Sequence, residues 1–264
     1  MTSDSHPSRR IAIVTVSLND CDRLYYTYRC LKRQDSSLFT WYVIDGLSND
    51  STRCMVENFE GLHCRFISEK DNGIYDAMNK GAGLASEQFI MFLNAGDYLA
   101  KDYILPDILD RVANCSSDIY IFASIRLSAA RTWPRYAPVK HLSTIVFGMP
   151  SSHQSFVYNS KFMKENPFVD CFKITADYAH LAKCYIDSSR ITIFQFPLAV
   201  FVQDGLTYTR KGQALARPEL YKIRTSILGL LPVYAFSLEI FDRLKMLVFR
   251  IYCFLRDIRC DPHH

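Results

Sequence analysis

The 264 residues contain no C-x-x-C pair, no G-x-G-x-x-G run, no apolar run long enough to span a bilayer, and no internal repeat or low-complexity segment. Each absence removes a class of protein. The nine cysteines, at 21, 30, 54, 64, 115, 171, 184, 253 and 260, are odd in number and scattered. That argues against a disulfide framework and a zinc ribbon, and favours a reducing cytoplasm. The first strand-like run leads into Thr15-Val16-Ser17-Leu18-Asn19-Asp20. A dinucleotide-dependent oxidoreductase would need a glycine-rich turn there, so that reading loses its main support. Met1 to Pro7 offers no apolar h-region, and no signal peptide is expected. The uncharged stretch from Thr225 to Leu238 has fourteen residues, short of the ~20 needed to cross a membrane.

What is present is ample apolar material. Hydrophobic residues make up 49% of the chain, enough for one large globular domain with an appendage. Charge is unevenly placed: from Gly205 onward there are ten Lys/Arg against five Asp/Glu, whereas the preceding 204 residues carry 21 against 22. A basic tail suits an acidic membrane surface better than a nucleic acid, which calls for a basic patch on the folded domain.

The first half alternates short β-branched or aromatic runs (Ile11–Val16, Trp41–Ile44, Cys64–Ile67, Phe89–Leu93) with helical patterns at 22–33, 51–59 and 74–85. This repetition predicts an α/β fold with a mostly parallel central sheet and helices on both faces. A further helix is expected over 104–113 and a strand over 118–125, with the Pro-broken stretch 132–150 as irregular strand or loop. Ligands of such sheets bind outside the carboxyl ends of the strands, where Asp45 and Asp97 would point.

Several segments carry chemistry. VIDGLSNDST (Val43–Thr52) runs a strand into a turn, ending the strand on Asp45; an ordinary strand–turn–helix with a capping Asp accounts for it equally well. SEKDNGIYDAMNKG (Ser68–Gly81) gathers Glu69, Asp71, Asn72, Tyr75, Asp76, Asn79 and Lys80, although Asp76 and Lys80 also have the spacing of a surface ion pair. FLNAGD (Phe92–Asp97) ends an apolar run on a carboxylate, which is costly to bury unless something positive compensates it. SSHQSFVYN sets His153 and Gln154 before an apolar run, and KITADYAHL sets Asp177 in the first turn of a helix, where the dipole favours an acid.

In order and spacing these segments resemble family 2 glycosyltransferases of the GT-A fold, and among them the colanic-acid and capsule-type bacterial enzymes. Their pattern runs D-G-x-S-x-D-G-T, S-E-x-D-x-G-I-Y-D-A-M-N-K-G, F-L-N-A-G-D, H-Q, A-D-Y. Ser51 stands where the first motif has Gly, and Asp204 where relatives often show a Gly-Gly pair. The resemblance spans Ile11 to Thr209. It implies a catalytic domain over 1–210 and a C-terminal helical extension over 211–264. Thr15, Ser17 and Asn19 would lie near the nucleotide and Asp45 on the base or ribose. Asp71, Asn79 and Lys80 would line the donor pocket, and His153 and Gln154 would sit between donor and acceptor. Asn94 and Asp97 would occupy the place of the element that holds Mg²⁺ or Mn²⁺ on the diphosphate, and Asp177 that of the general base. The implied reaction moves a sugar, with inversion, from a UDP- or GDP-sugar to a saccharide acceptor in surface polysaccharide synthesis. A non-catalytic scaffold that keeps the fold is the alternative.

In the tail, 239–256 places Ile240, Leu244, Leu247, Val248, Ile251 and Leu255 on one helical face and keeps Arg243, Lys245, Arg250 and Arg256 off it. That pattern fits an amphipathic helix at the inner face of the cytoplasmic membrane, with a lipid-linked acceptor, or a terminal helix packed on the domain.

Overall fold

The computed structural model describes residues 10–127, 134–202 and 209–259. The expected alternation is present: β1 (Ile11–Ser17), α1 (Cys21–Leu31), β2 (Phe39–Asp45), α2 (Thr52–Glu57), β3 (Cys64–Ser68), α3 (Ile74–Leu84) and β4 (Phe89–Phe92). Then come β5 (Tyr98–Leu99), α4 (Leu105–Ala113), β6 (Ile119–Leu127), β7 (Arg135–Ala137), 3-10 turns at Leu142–Phe147 and His153–Ser155, β8 (Phe156–Asn159) and α5 (Ser160–Glu165). The chain closes with α6 (Ala176–Ile186), β9 (Ile191–Val202), α7 (Arg210–Lys222), a π turn (Ile223–Ile227) and α8 (Pro232–Arg259). The Asp204 departure falls within 203–208, outside the described residues.

Among the described residues the strands form one sheet in the order β3-β2-β1-β4-β8-β6-β9-β5, with β7 beside β6. The N-terminal part, β3-β2-β1-β4, is parallel as the alternation requires. Beyond β4 the sheet is mixed: β8 joins β4 and β6 antiparallel, β6 and β9 run parallel, and β5 and β7 sit antiparallel on β9 and β6. No helical crossover precedes β8, so it has no reason to run parallel to β4.

Strand alternation divides the core between the two faces. Ala12, Val14, Tyr42, Ile44, Ile90 and Phe92 pack with α3 and α6 on one side. Ile11, Ile13, Trp41, Val43, Met91 and Leu93 pack with α1 and α4 on the other. Both faces are dry, which explains why the strands read as continuous apolar runs. Sheet order reverses about β1, flanked by β2 and β4, so the crevice of this α/β sheet opens at their carboxyl ends.

The extension is joined to this core. Ile223 is fully buried in the α3–α6 cluster, and Leu220, Ile227 and Leu228 pack against it. Arg224, only 3% exposed in its side chain, reaches Asp242 of α8 at 2.8 Å and donates to the Val146 carbonyl at 3.1 Å. The face of α8 away from this anchor is apolar and exposed at Val233, Phe236, Ile240, Phe241, Leu244 and Val248. The expected apolar residues Leu247, Ile251 and Leu255 have side chains outside the described residues. No described helix is long and apolar enough to cross a membrane.

Candidate active site

Three groups of side chains gather at the carboxyl ends of β1 to β4. The first joins the loops after β1, β2 and β3. Asp45, 1% exposed, accepts the Ser48 N–H at 3.0 Å, the Ser68 hydroxyl at 2.6 Å and the Ser48 hydroxyl. Burial of a carboxylate demands such satisfaction. Its oxygens therefore pin the loops around it. Asn19, at φ 51°, donates its N–H to the Ser48 hydroxyl at 2.7 Å and accepts the Asn49 N–H at 2.8 Å. This ties the β1 loop to the β2 loop. Leu47 takes the left-handed conformation at φ 65°, whereas Gly46 is small for a different reason. A Cβ there would stand 3.2 Å from Asp71 Oδ2. Ser17 Oγ is buried without a partner.

Lys80 knots this group together. Its ammonium lies 2.7 Å from Asp71, 3.0 Å from Glu69 and 3.5 Å from Asp76, and it donates to the Lys70 carbonyl at 2.8 Å. Hydrogen bonds to Asp71 and Glu69 hold it well above the ordinary lysine range. The Asp76–Lys80 surface pair is present but is the longest of three contacts. Asn79 faces elsewhere, exchanging 2.8 and 2.9 Å hydrogen bonds with the Phe168 backbone; it is a clamp between α3 and the segment before α6. Thr15 is fully buried, donating to the Leu93 carbonyl at 2.7 Å and accepting from Trp41 Nε1 at 2.8 Å. Its hydroxyl fixes the end of β4 and does not face the crevice.

The second group is the β4–β5 loop. Asp97 is 2% exposed, and Oδ1 accepts the Val202 N–H of β9 at 3.0 Å. A backbone donor therefore compensates part of the charge that the sequence left unexplained. Helix α1 holds the loop by contacts invisible in sequence. Arg23 donates to the Ala95 carbonyl at 3.0 and 3.2 Å, and Thr27 accepts the Gly96 N–H and donates to the Asp97 carbonyl, both at 3.0 Å. Gly96 sits at φ +88°, and a Cβ on it would lie 2.5 Å from Arg23 Nε. Asn94 Oδ1 is buried with no partner. No cluster of three or more His, Cys, Asp or Glu that could hold a metal occurs among the described residues. The donor set that fits a hard cation here is one carboxylate and one orphaned amide oxygen, which suits an ion drawing most of its ligands from phosphates and water.

The third group surrounds Asp177, in the first turn of α6. Its Oδ1 accepts the Tyr178 N–H and faces the Tyr75 hydroxyl, both at 2.9 Å. The Tyr75 hydroxyl also reaches the Ile174 carbonyl at 2.9 Å. Having one proton, it serves either acceptor. Loss of water around the Asp177 carboxyl raises its pKa, partly offset by these two bonds. His153 and Gln154 are buried. The His153 ring stacks on Phe92 at 5.3 Å and meets the edges of Phe156 and Phe168. Burial pushes it down to about 3, so it is neutral, inside an aromatic cage, with Nε2 buried and without a hydrogen-bond partner.

A mixed α/β sheet whose order reverses about β1, with polar side chains on the loops after β1 to β4, is of the class that binds ligands beyond the carboxyl ends of its strands. Comparison with known proteins carries this further. The sequence model of Glycosyl transferase family 2 matches residues 12–176, well over half of the chain, and the chain belongs to that family. A PGL/p-HBAD biosynthesis glycosyltransferase of Mycobacterium bovis (strain BCG / Pasteur 1173P2) is 24% identical over 185 residues, 69% of this chain and 72% of the relative. An uncharacterized glycosyltransferase of Mycobacterium tuberculosis (strain ATCC 25618 / H37Rv) is 31% identical over 108 residues, 40% of each chain. Among solved structures, S. aureus TarS 1–349 in complex with UDP-GlcNAc superposes with a TM-score of 0.65 at 17% identity, over 87% of this chain and 70% of that one. The mannosyltransferase PcManGT from Pyrobaculum calidifontis, in complex with GDP-Man and Mn2+, gives 0.60 at 13% identity over 87% and 72%. The fold is that of the GT-A glycosyltransferases, with a C-terminal helical extension.

Proposed function

We propose that this glycosyltransferase uses a UDP- or GDP-sugar and inverts the anomeric carbon, with Asp177 as general base. An acceptor hydroxyl oxygen attacks the anomeric carbon, its proton passes to Asp177, and the bond to the diphosphate breaks with its electron pair leaving on the nucleotide. The observation that carries this reading is the setting of Asp177. Both its hydrogen bonds fall on Oδ1, and a desolvated carboxyl of raised pKa is a better proton acceptor than an exposed one. Solved GT-A neighbours bound to UDP, UDP-GlcNAc and GDP-Man support the donor class.

Asp97 and Asn94 would hold Mg²⁺ or Mn²⁺, which supplies charge neutralisation for the diphosphate leaving group. The unpartnered Asn94 oxygen and the Mn2+ in the mannosyltransferase complex support this choice. The acceptor is a saccharide, lipid-linked and presented at the inner face of the cytoplasmic membrane. The exposed apolar stripe of α8 and the basic excess of the tail support that placement.

The test is Asp177→Asn. Loss of general-base assistance lowers transfer by about 10²–10⁴-fold, while donor affinity stays near wild type because the base acts only in the transition state. Near-normal transfer by the variant would remove Asp177 from this role.

A further inference from the structure

Glu219 lies on α7, beyond the residues matched by the family model, yet its carboxylate is bonded to the segment that leads into Asp177. Oε1 accepts the Lys173 N–H at 2.6 Å. Oε2 accepts the Ile174 and Thr175 N–H groups, each at 3.0 Å, and the Thr175 hydroxyl at 2.8 Å. Thr175 is the N-cap of α6 and makes no side-chain cap bond of its own. The backbone just ahead of Asp177 is thus gripped by a carboxylate from the extension.

The same segment is held from the opposite side. The Ile174 carbonyl faces the Tyr75 hydroxyl of α3, which also reaches Asp177. Helix α7 is in turn fixed by buried Ala216 and by Ile223 at its C-cap, and Lys222 lies 5.3 Å from the Phe172 ring centre. These are four bonds to a charged acceptor, each among the stronger kinds of hydrogen bond, and their donors lie ahead of α6 rather than within it.

We propose that Glu219 is a positioning residue for the transfer step, fixing residues 173–175 and through them the orientation of the Asp177 carboxylate. This rests on the assignment of Asp177 as base. Geometry of this sort matters steeply, since a misplacement of about 1 Å can lower turnover about 10²-fold. The charge of Glu219 adds to the same end, because it raises the Asp177 pKa as a contribution behind desolvation. The other titratable groups facing Asp177 are Tyr75 from α3 and Tyr158 from β8, both kept neutral by burial. Lys173 and Lys222 are the nearby cations of the segment and of α7.

The experiment uses the full chain as Glu219→Gln, Glu219→Ala, Asp177→Asn and the Glu219→Gln/Asp177→Asn pair. UDP-glucose, UDP-N-acetylglucosamine and GDP-mannose are screened with Mn²⁺. The donor that binds is followed by nucleotide release, with water as acceptor, across a pH series. Glu219→Gln keeps the shape of the side chain but turns an amide donor toward backbone donors. It should bind donor within about 2-fold of wild type and release nucleotide about 10-fold more slowly, with Glu219→Ala slower still. Removing the charge lowers the Asp177 pKa, so the acid limb of the kcat profile should move to lower pH. In the Asp177→Asn background Glu219→Gln should cause no further loss.

Lowered melting temperature with unchanged kcat and an unmoved limb would overturn the proposal and leave Glu219 a structural cap. Additive losses in the double variant would also overturn it. Near-normal release by Asp177→Asn alone would remove the base assignment, and the role of Glu219 with it. Should Glu219→Ala fail to fold, Glu219→Gln carries the comparison.

Discussion

Asp242→Asn should unseat α8 from the catalytic unit, and the size of the effect follows from where the charge is left. The Arg224 side chain is 3% exposed and Asp242 34% exposed. Replacing the carboxylate leaves a buried guanidinium with neutral partners, the Val146 carbonyl and the Tyr178 hydroxyl among them. Breaking a buried pair from one side costs about 3–5 kcal/mol. Water reaches the Asp242 end, which screens part of the interaction and places the expected loss near about 2–3 kcal/mol. At roughly 2–4 °C per kcal/mol for a chain of this size, the melting temperature should fall by about 4–12 °C. Asp242 makes further contacts, so a double-mutant cycle with Arg224→Met and Asp242→Leu isolates the pair. The double variant should recover most of the loss, because packed apolar residues often replace a buried pair without net cost. Urea and thermal melts of the four full-length proteins give the coupling. A single Asp242→Asn that melts within about 1 °C of wild type would refute the anchoring argument.

Asp97→Asn should weaken donor binding and abolish most of the metal requirement, read by thermal shift with nucleotide sugars and Mn²⁺ or Mg²⁺; normal turnover with the same Mn²⁺ requirement would count against the metal role. Burial holds His153 at about 3 and His180 at about 4, so both stay neutral in the fold while the unfolded chain protonates them near about 6.5. Stability should be full above that pH and fall toward pH 4 by about 1.4 kcal/mol per unit for each histidine; melts that stay flat between pH 7 and 5 would contradict it. Changing Ile240, Leu244 and Val248 together to Glu should release the protein from vesicles containing phosphatidylglycerol, judged by co-sedimentation, and leave the melting temperature within a few degrees. Equal sedimentation of both proteins would argue for a packed terminal helix.

The parallel half of the sheet was legible because burial on both faces writes unbroken apolar runs separated by helical periods. Helix α3 was legible for the same reason, and the 104–113 and 118–125 segments matched α4 and β6 within two residues at each end. The site was legible as a set of segments but not as a set of contacts. Thr15 and Asn79 carry polar groups suited to a ligand, yet tertiary pairing turns them to Leu93 and Phe168. His153 likewise sits in an aromatic cage assembled from β4, β8 and the segment before α6. Arg23, Thr27 and Glu219 carry no local signal at all. The loop partners described above lie 44 to 72 residues away in the chain, and only the packing of α1 and α7 brings them together.

Gly81 sets how the two sides of the crevice can change. A Cβ there would stand 2.4 Å from Val14 Cγ1 and 3.1 Å from Ile44 Cγ1, so α3 lies directly on β1 and β2 with no side chain as spacer. The helix cannot slide or lift without breaching a packed sheet. It carries Lys80 into the carboxylates after β3 and, about 7.5 Å earlier along its axis, Tyr75 into Asp177. The Lys80 contact with Asp71 and the Tyr75 contact with Asp177 are therefore mounted on one tightly packed helix. A change that moves one of these carboxylates through the helix therefore moves the other with it.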